Sequence, residues 1–215
     1  MLVSNEAGIQ IVWNIIHTVQ QNKDYLSQID GEIGDGDHGV NMSKGFTIAS
    51  TLLSQQQTDM SGGLSIIGKT LMTRIGGSIG PLYGTIFNEM AKAYAGARYI
   101  DANIVAKMLH SAIDSVSRIS LARRGDKTMM DVLLPAVDAF ETALAEGNDL
   151  VGALVKMKNA AELGMESTKD MVAKIGRSSR LGERSRGVID AGATSLNLII
   201  QSFADTLIAL GQETK

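Results

Sequence analysis

Apolar residues along the chain recur three and four positions apart far more often than they alternate, and this spacing predicts helices. Ile9, Val12, Ile16 and Val19 fall on one stripe and predict a first helix over residues 5–28. A second is predicted from His38 to about Leu53, a third over 63–75, and a fourth from Pro81, since proline suits a first helical turn. Asp101 is placed to cap a fifth, whose buried face takes Ile104, Met108, Ala112 and Val116. A sixth starts near Asp131, three residues after Thr128 at capping-box spacing, with Pro135 near enough to the start to be tolerated. A seventh covers 149–175. An eighth begins at Asp190 and buries Leu196, Ile199, Ile200, Phe203, Leu207 and Leu210. With two prolines, no internal repeat and no low-complexity linker, residues 1–215 are expected to form a single all-α domain.

Composition narrows the chemistry. A chain of 215 residues is long enough to bury a core without staples, and the absence of cysteine excludes disulfides and thiolate metal sites. The net charge of −3 gives no reason to expect nucleic acid or an anionic membrane. A phosphorylated ligand would need local positive potential, from metal ions or helix N-termini. The first residues lack the basic start of a signal peptide, and no apolar run approaches the ~20 residues that span a bilayer. A cytoplasmic protein is expected. The 11 methionines sit mostly at helical core spacing and are expected to fill the core.

The glycines change the picture, because many gather in three segments: 31–39, 76–84 and 176–192. One or two would end a helix; clusters of this density also let backbone N–H groups approach a ligand. The first segment, residues 29–41, carries Asp30, Asp35 and Asp37 within eight positions, without an intervening Lys or Arg. Mutual repulsion of these carboxylates is relieved by a divalent cation, and all-oxygen ligands indicate magnesium, manganese or calcium rather than zinc. An EF-hand fails on spacing: with Asp30 first, Asn41 stands at the twelfth position, where a bidentate Glu is needed. The alternative is that Asp35 and Asp37 serve only as turn and cap residues. The helix start that follows offers N–H groups to an anion, and His38 and Asn41, three apart, can both face it. His17 and His110 lack acidic neighbours at ligand spacing in sequence and are expected to be structural or surface residues.

Residues 76–85 join another glycine turn to a helix start, an anion-binding geometry. No Walker A ending follows and no strand precedes it. Two further segments stand out: Gly125–Asp131, and the Arg-rich Gly176–Gly187 followed by Asp190–Ser195. The arginines there could pair with phosphate oxygens or form a solvated basic loop.

Together these segments resemble the nucleotide-binding subunits of bacterial dihydroxyacetone kinases, the DAK2 domain family. The resemblance rests on the Gly-Asp-Gly-Asp-His-Gly run with Asn41, residues 76–85, Gly-Asp-Lys-Thr-Met-Met-Asp, and the Leu-Gly-Glu-Arg-Ser stretch with the later Gly-Ala-Thr-Ser. It covers essentially the whole chain and implies about eight antiparallel helices forming a barrel with ADP or ATP at one end. It implies two magnesium ions on Asp30, Asp35 and Asp37. It further implies nucleotide contacts from His38, Asn41, Ser78, Ile79, Ser120, Met129, Arg177 and the Asp190-Ala191-Gly192 turn, with Arg177 also the catalytic candidate. The ketose would sit on a separate substrate-binding kinase subunit, covalently on a histidine there, and the resemblance leaves a homodimer open. In one branch of the family, bound ADP is rephosphorylated by a phosphocarrier subunit of the phosphotransferase system. In the other, ATP exchanges freely on a chain usually fused to its substrate domain. A short separate chain favours the first.

Several positions depart from the family pattern. The hydroxyl of the usual Gly-Gly-Ala-Ser-Gly-Pro falls one place early, at Ser78, with Ile79 in the serine position; Ala191 replaces a proline, Arg180 a tyrosine, and Ile119–Ala122 an Arg-Gly-Lys-Ala stretch. These spare the aspartates and touch the nucleotide and docking rims. Two other functions remain open: a nucleotide-sensing regulatory protein without turnover, and a metal-stabilised helical protein that binds no nucleotide.

Overall fold

The computed structural model of the protein describes residues 1–213. Among the described residues there are nine α-helices: α1 (Ile9–Gln21), α2 (Lys23–Ile33), α3 (His38–Ser54), α4 (Met60–Arg74), α5 (Ile79–Tyr94), α6 (Ala102–Ile119), α7 (Met130–Ala145), α8 (Leu150–Ser167) and α9 (Ala191–Glu213). Two short strands, β1 (Val3–Ser4) and β2 (Tyr99–Ile100), pair antiparallel with Val3 opposite Ile100.

Eight helices close a ring in the order α1, α3, α4, α5, α6, α7, α8, α9 and back to α1, each touching the next. The short connections at 55–59, 75–78, 95–101 and 146–149 return the chain antiparallel to the helix before. The all-α class and the ring agree with the expectation from sequence; the count differs by one. The expected first helix is two, because the chain breaks at Asn22 (φ −95°, ψ 11°), whose side-chain amide donates to the Thr18 carbonyl at 2.8 Å. The second piece, α2, runs on to Ile33 and takes Asp30 into its last turn. It lies outside the ring, against α3 and α9.

Each ring helix turns an apolar stripe inward. Ile11, Val12, Ile15, Ile16 and Val19 of α1 are buried, as are Val105, Met108, Ala112 and Val116 of α6. Of the expected stripes, Ile9, Ile104 and Leu210 are only partly buried. Burial of one such side chain contributes roughly 1.5–3 kcal/mol, which a short helix alone lacks. Met42, Met60, Met108, Met129, Met130 and Met157 are core residues, as expected. Phe46 of α3 and Phe87 of α5 meet edge to face at 5.8 Å.

Side-chain bonds to the backbone fix several helix ends. Asp101, Asp59 and Asp149 cap their helices by accepting from the N–H three residues on. The eighth expected helix does start after Asp190, which accepts from Ala193 N–H at 2.8 Å. α8, however, stops at Ser167 rather than near 175. The hydroxyls of Ser167 and Thr168 donate back to the Gly164 and Met165 carbonyls at 2.7 and 2.6 Å, and a 3-10 turn over Thr168–Asp170 follows. In α7, Pro135 supplies no N–H to the Asp131 carbonyl. Gly164 of α8 packs directly on that carbonyl, and a Cβ there would overlap its oxygen.

Candidate functional site

The connections at one end of the ring enclose a cavity of about 440 Å³. Its acidic wall is built by the junction of α2 and α3. Asp30 comes from the last turn of α2, Asp35 from the connecting loop, and Asp37 immediately precedes α3. One oxygen from each lies within 4.8 Å of the others. Gly34 allows this, since a Cβ there would overlap the Asp30 carboxylate. Asp30 also accepts from His38 N–H at 3.2 Å. Although Asp37 stands in the capping position, its carboxylate makes no capping hydrogen bond within the described residues. A role as turn and cap residue therefore does not account for Asp37. Three converging carboxylates at this spacing fit a hard divalent cation with oxygen ligands.

Across the cavity, Gly76, Gly77, Ser78 and Ile79 form the turn into α5. Gly77 has φ +68°, and Cβ atoms on Gly76 or Gly77 would meet open space, so the backbone faces the cavity bare. Ser78 caps no amide of α5 within the described residues, leaving first-turn N–H groups for an anion. Ser120 at the end of α6, Met129 before α7 and the Ala191-Gly192 start of α9 complete the lining.

The charged side comes from residues 168–190, between α8 and α9. Arg177 opens a 3-10 run, Arg177–Ser185, kinked at Gly182, and its guanidinium pairs with the Asp35 carboxylate. Both side chains are substantially exposed, so this pair stabilises the fold little; its effect is to place the guanidinium at the acidic cluster. Opposite, Lys127 is 1% exposed and adopts φ +61°, the left-handed region. Its ammonium donates to the carbonyls of Thr168, at 2.5 Å, and Val188. Desolvation lowers the Lys127 pKa, and the negative charge of Asp190 opposes that.

His38 is held from behind. Its Nε2 meets Ser195 Oγ at 2.9 Å, Tyr83 Oη meets Ser195 Oγ at 2.6 Å, and Tyr83 donates to the Gly192 carbonyl at 2.9 Å. Ser195 Oγ also donates to the Gly192 carbonyl at 3.2 Å, and the imidazole Nε2 is engaged by this network. Nδ1 is the nitrogen left for a ligand. Desolvation lowers the His38 pKa, offset in part by Asp30, and burial raises that of the Tyr83 phenol.

Desolvation also pushes the Asp190 carboxyl up to about 6, against the Ala193 N–H and Lys127, which favour the charged form. A raised carboxyl pKa means that the folded state binds the proton more tightly than the unfolded chain. This contribution is complete below about pH 4 and is lost as the pH rises through about 6. Relative to Asp190→Asn, wild type is expected to lose about 2–3 kcal/mol between pH 4 and pH 7, as read from urea unfolding at each pH. Equal pH profiles for the two proteins would show that Asp190 has no raised pKa.

All the residues singled out from sequence line this one cavity: Asp30, Asp35, Asp37, His38, Asn41, Ser78, Ile79, Ser120, Met129, Arg177, Asp190, Ala191 and Gly192. Asp30 stands on a helix rather than in a loop. His17 and His110 lie elsewhere and are exposed, His110 against Glu141. Lys127, Tyr83 and Ser195 were not singled out. In sequence, Lys127 is indistinguishable from a solvated lysine in a polar turn, and nothing in the spacing of Tyr83 and Ser195 links them to His38.

A family model described as the DAK2 domain matches residues 32–205. The chain is 35% identical over 192 residues to the ADP-binding subunit DhaL of PEP-dependent dihydroxyacetone kinase 1 from Listeria innocua, covering 89% of this chain and 91% of that one. It is 37% identical over 182 residues to the ADP-binding subunit DhaL of the PEP-dependent dihydroxyacetone kinase from Escherichia coli, covering 84% and 87%. Among solved structures, the native dihydroxyacetone kinase of C. freundii matches with a TM-score of 0.69 at 26% identity. That match covers 93% of this chain and 34% of the kinase, so the chain spans about a third of it. The complex of that kinase with AMP-PNP and Mg2+ shares the fold, with a TM-score of 0.67 at 23% identity.

Proposed function

Since this chain belongs to the DAK2 domain family, we propose that its 215 residues form one nucleotide-binding domain, the ADP/ATP-binding subunit of a dihydroxyacetone or related small-ketose kinase. The observation that carries this reading is the convergence of Asp30, Asp35 and Asp37 beside bare glycine backbone and Arg177 around one cavity. Asp30, Asp35 and Asp37 would hold magnesium, as two ions, through their carboxylate oxygens. Magnesium held there supplies electrostatic stabilisation of the phosphate charge.

The chain's own residues do the rest by positioning. The turn before α5 and the start of α3 present amide N–H groups to phosphate oxygens. Met129 and Ile79 offer apolar surface to the adenine, with Ser78, Ser120, Asn41, His38 and the Asp190-Ala191-Gly192 turn supplying polar contacts. Arg177 is the catalytic residue: its guanidinium, held at the acidic cluster by Asp35, would stabilise the charge that develops on the transferred phosphoryl group. The bond from the terminal phosphorus of ATP to its bridging oxygen breaks and ADP leaves, as a ketose hydroxyl oxygen bonds to that phosphorus and releases its proton. The ketose is held by a separate substrate-binding subunit, whose docking excludes water from the open cavity mouth.

The PEP-dependent relatives support a cycle in which ADP stays bound and a phosphocarrier subunit rephosphorylates it, in the cytoplasm. The test is transfer to dihydroxyacetone and related ketoses with a substrate-binding subunit present, supplying either ATP or phosphorylated carrier. Phosphorylation of a ketose with one donor is expected. Magnesium-dependent ADP binding without transfer from either donor to any ketose would instead favour a regulatory nucleotide sensor.

A further inference from the structure

We infer that Lys127 is a positioning residue that holds Arg177 at the acidic cluster by closing the neck of the chain excursion that carries it. The inference rests on the nucleotide-binding reading above only for the part that Arg177 plays. Residues 169–189 leave α8 and return to α9 as a loop whose two limbs meet at its base. There Gly187 N–H donates to the Lys169 carbonyl at 2.7 Å, and Asp190 N–H to Thr168 Oγ1 at 3.0 Å. Lys127 reaches this base from a third segment, the α6–α7 connection, and its ammonium donates to Thr168 on one limb and Val188 on the other.

One cation thus satisfies a carbonyl from each side of the neck, and Lys127 itself is 1% exposed to solvent, where a donor lost is costly to replace. The connection around Lys127 is built to deliver it. Asp131 accepts from Gly125 N–H and from Thr128 N–H, the latter at 2.8 Å, which fixes the turn on both sides of Lys127. Between them Lys127 holds φ +61°, a conformation that a residue with a Cβ keeps only where its surroundings impose it. The same turn grips the outgoing limb again, through Lys174 N–H on the Asp126 carbonyl at 3.2 Å and Lys174 Nζ beside the Asp126 carboxylate at 3.3 Å. Beyond that grip the excursion rests on α2 and Arg177 meets Asp35. The path is continuous: Asp131 orders the turn, the turn aims Lys127, Lys127 closes the neck, and the closed neck sets where Arg177 lies.

Lys127→Met keeps the length of the side chain and removes the donors. Amide exchange by mass spectrometry is expected to speed at least about tenfold across residues 171–187, while α1, α4, α5 and α9 keep wild-type protection. Affinity for magnesium-ADP is expected to fall about tenfold, as is also expected for Arg177→Ala. The double variant should fall little further, because both changes remove one effect. Gly187→Ala, which strains φ +94° at the residue whose N–H closes the neck, opens the same neck without touching Lys127. It is expected to reproduce the exchange pattern and the failure of additivity, and it decides the matter if Lys127→Met does not fold. Wild-type exchange over 171–187 in whichever variant folds, or fully additive losses with Arg177→Ala, would overturn the inference. If Arg177→Ala alone leaves affinity unchanged while the excursion still loosens, the clamp stands and the role given to Arg177 in nucleotide binding fails.

Discussion

Replacing Asp37 by Asn is expected to lower the affinity for magnesium-ADP about a hundredfold while leaving the metal-free protein as stable as before or more so. Asp37 is in the capping position of α3 but spends its carboxylate on no amide there within the described residues, and asparagine caps equally well. The carboxylate instead converges with those of Asp30 and Asp35 to within 4.8 Å, where like charges repel in the absence of a cation. Removing one charge relieves that repulsion and removes a proposed metal ligand in the same step. Loss of a group that merely supports a metal ligand typically costs about 10–100-fold, so loss of a ligand belongs at or above the upper figure, about 2.8 kcal/mol. Calorimetric titration at fixed magnesium, with a thermal melt in chelator, separates the two effects. Near-wild-type ADP affinity, or a clear loss of stability without metal, would show that Asp37 is a structural residue.

The second large effect is structural and reaches the same site. Gly39 sits at the start of α3 where it crosses α2, and a Cβ there would overlap the Lys23 carbonyl oxygen and lie 2.7 Å from Ser27 N. Both are backbone atoms of α2, so no side chain can move aside. Gly39→Ala must push α2 off α3 at a cost of roughly 2–3 kcal/mol, a fall in Tm of roughly 5–10 °C for a chain of this size. Because Asp30 rides on α2 and Asp37 on α3, the same displacement spreads the carboxylates, and magnesium-ADP affinity should fall as well. Gly31→Ala is the control. Its Cβ would meet nothing closer than Gly36 Cα at 3.8 Å, and alanine at that exposed helical position should stabilise by up to about 1 kcal/mol. A Gly39→Ala protein that melts with wild type would mean that the α2–α3 crossing tolerates a gap.

Helical spacing was enough to find most of the ring. Ile9, Val12, Ile16 and Val19 marked α1, and Asp101 and Asp190 marked the starts of α6 and α9, because stripes and caps are local properties. The break at Asn22 was not legible. Asparagine is common inside helices, and only the bond of its side chain to Thr18 turns it into a stop. α8 ends early for the same kind of reason, through hydroxyls that bond back into its last turn.

The acidic segment was legible because three carboxylates without a countercharge are improbable on electrostatic grounds alone. Lys127 was hidden, since a lysine in a polar turn reads as solvated. Its burial depends on carbonyls 41 and 61 positions away. Likewise Ser195 meets His38 across 157 positions. Local pattern therefore located residues that line the cavity, while the groups that hold them in place belong to the tertiary fold.

The most direct measurement is the metal dependence of ADP binding by the wild-type chain, titrated in magnesium and again in chelator. One ADP per chain in magnesium, with affinity at least about a hundredfold weaker in chelator, is the expected result. No ADP binding in magnesium, or binding of equal strength in chelator, would contradict a nucleotide site built on Asp30, Asp35 and Asp37.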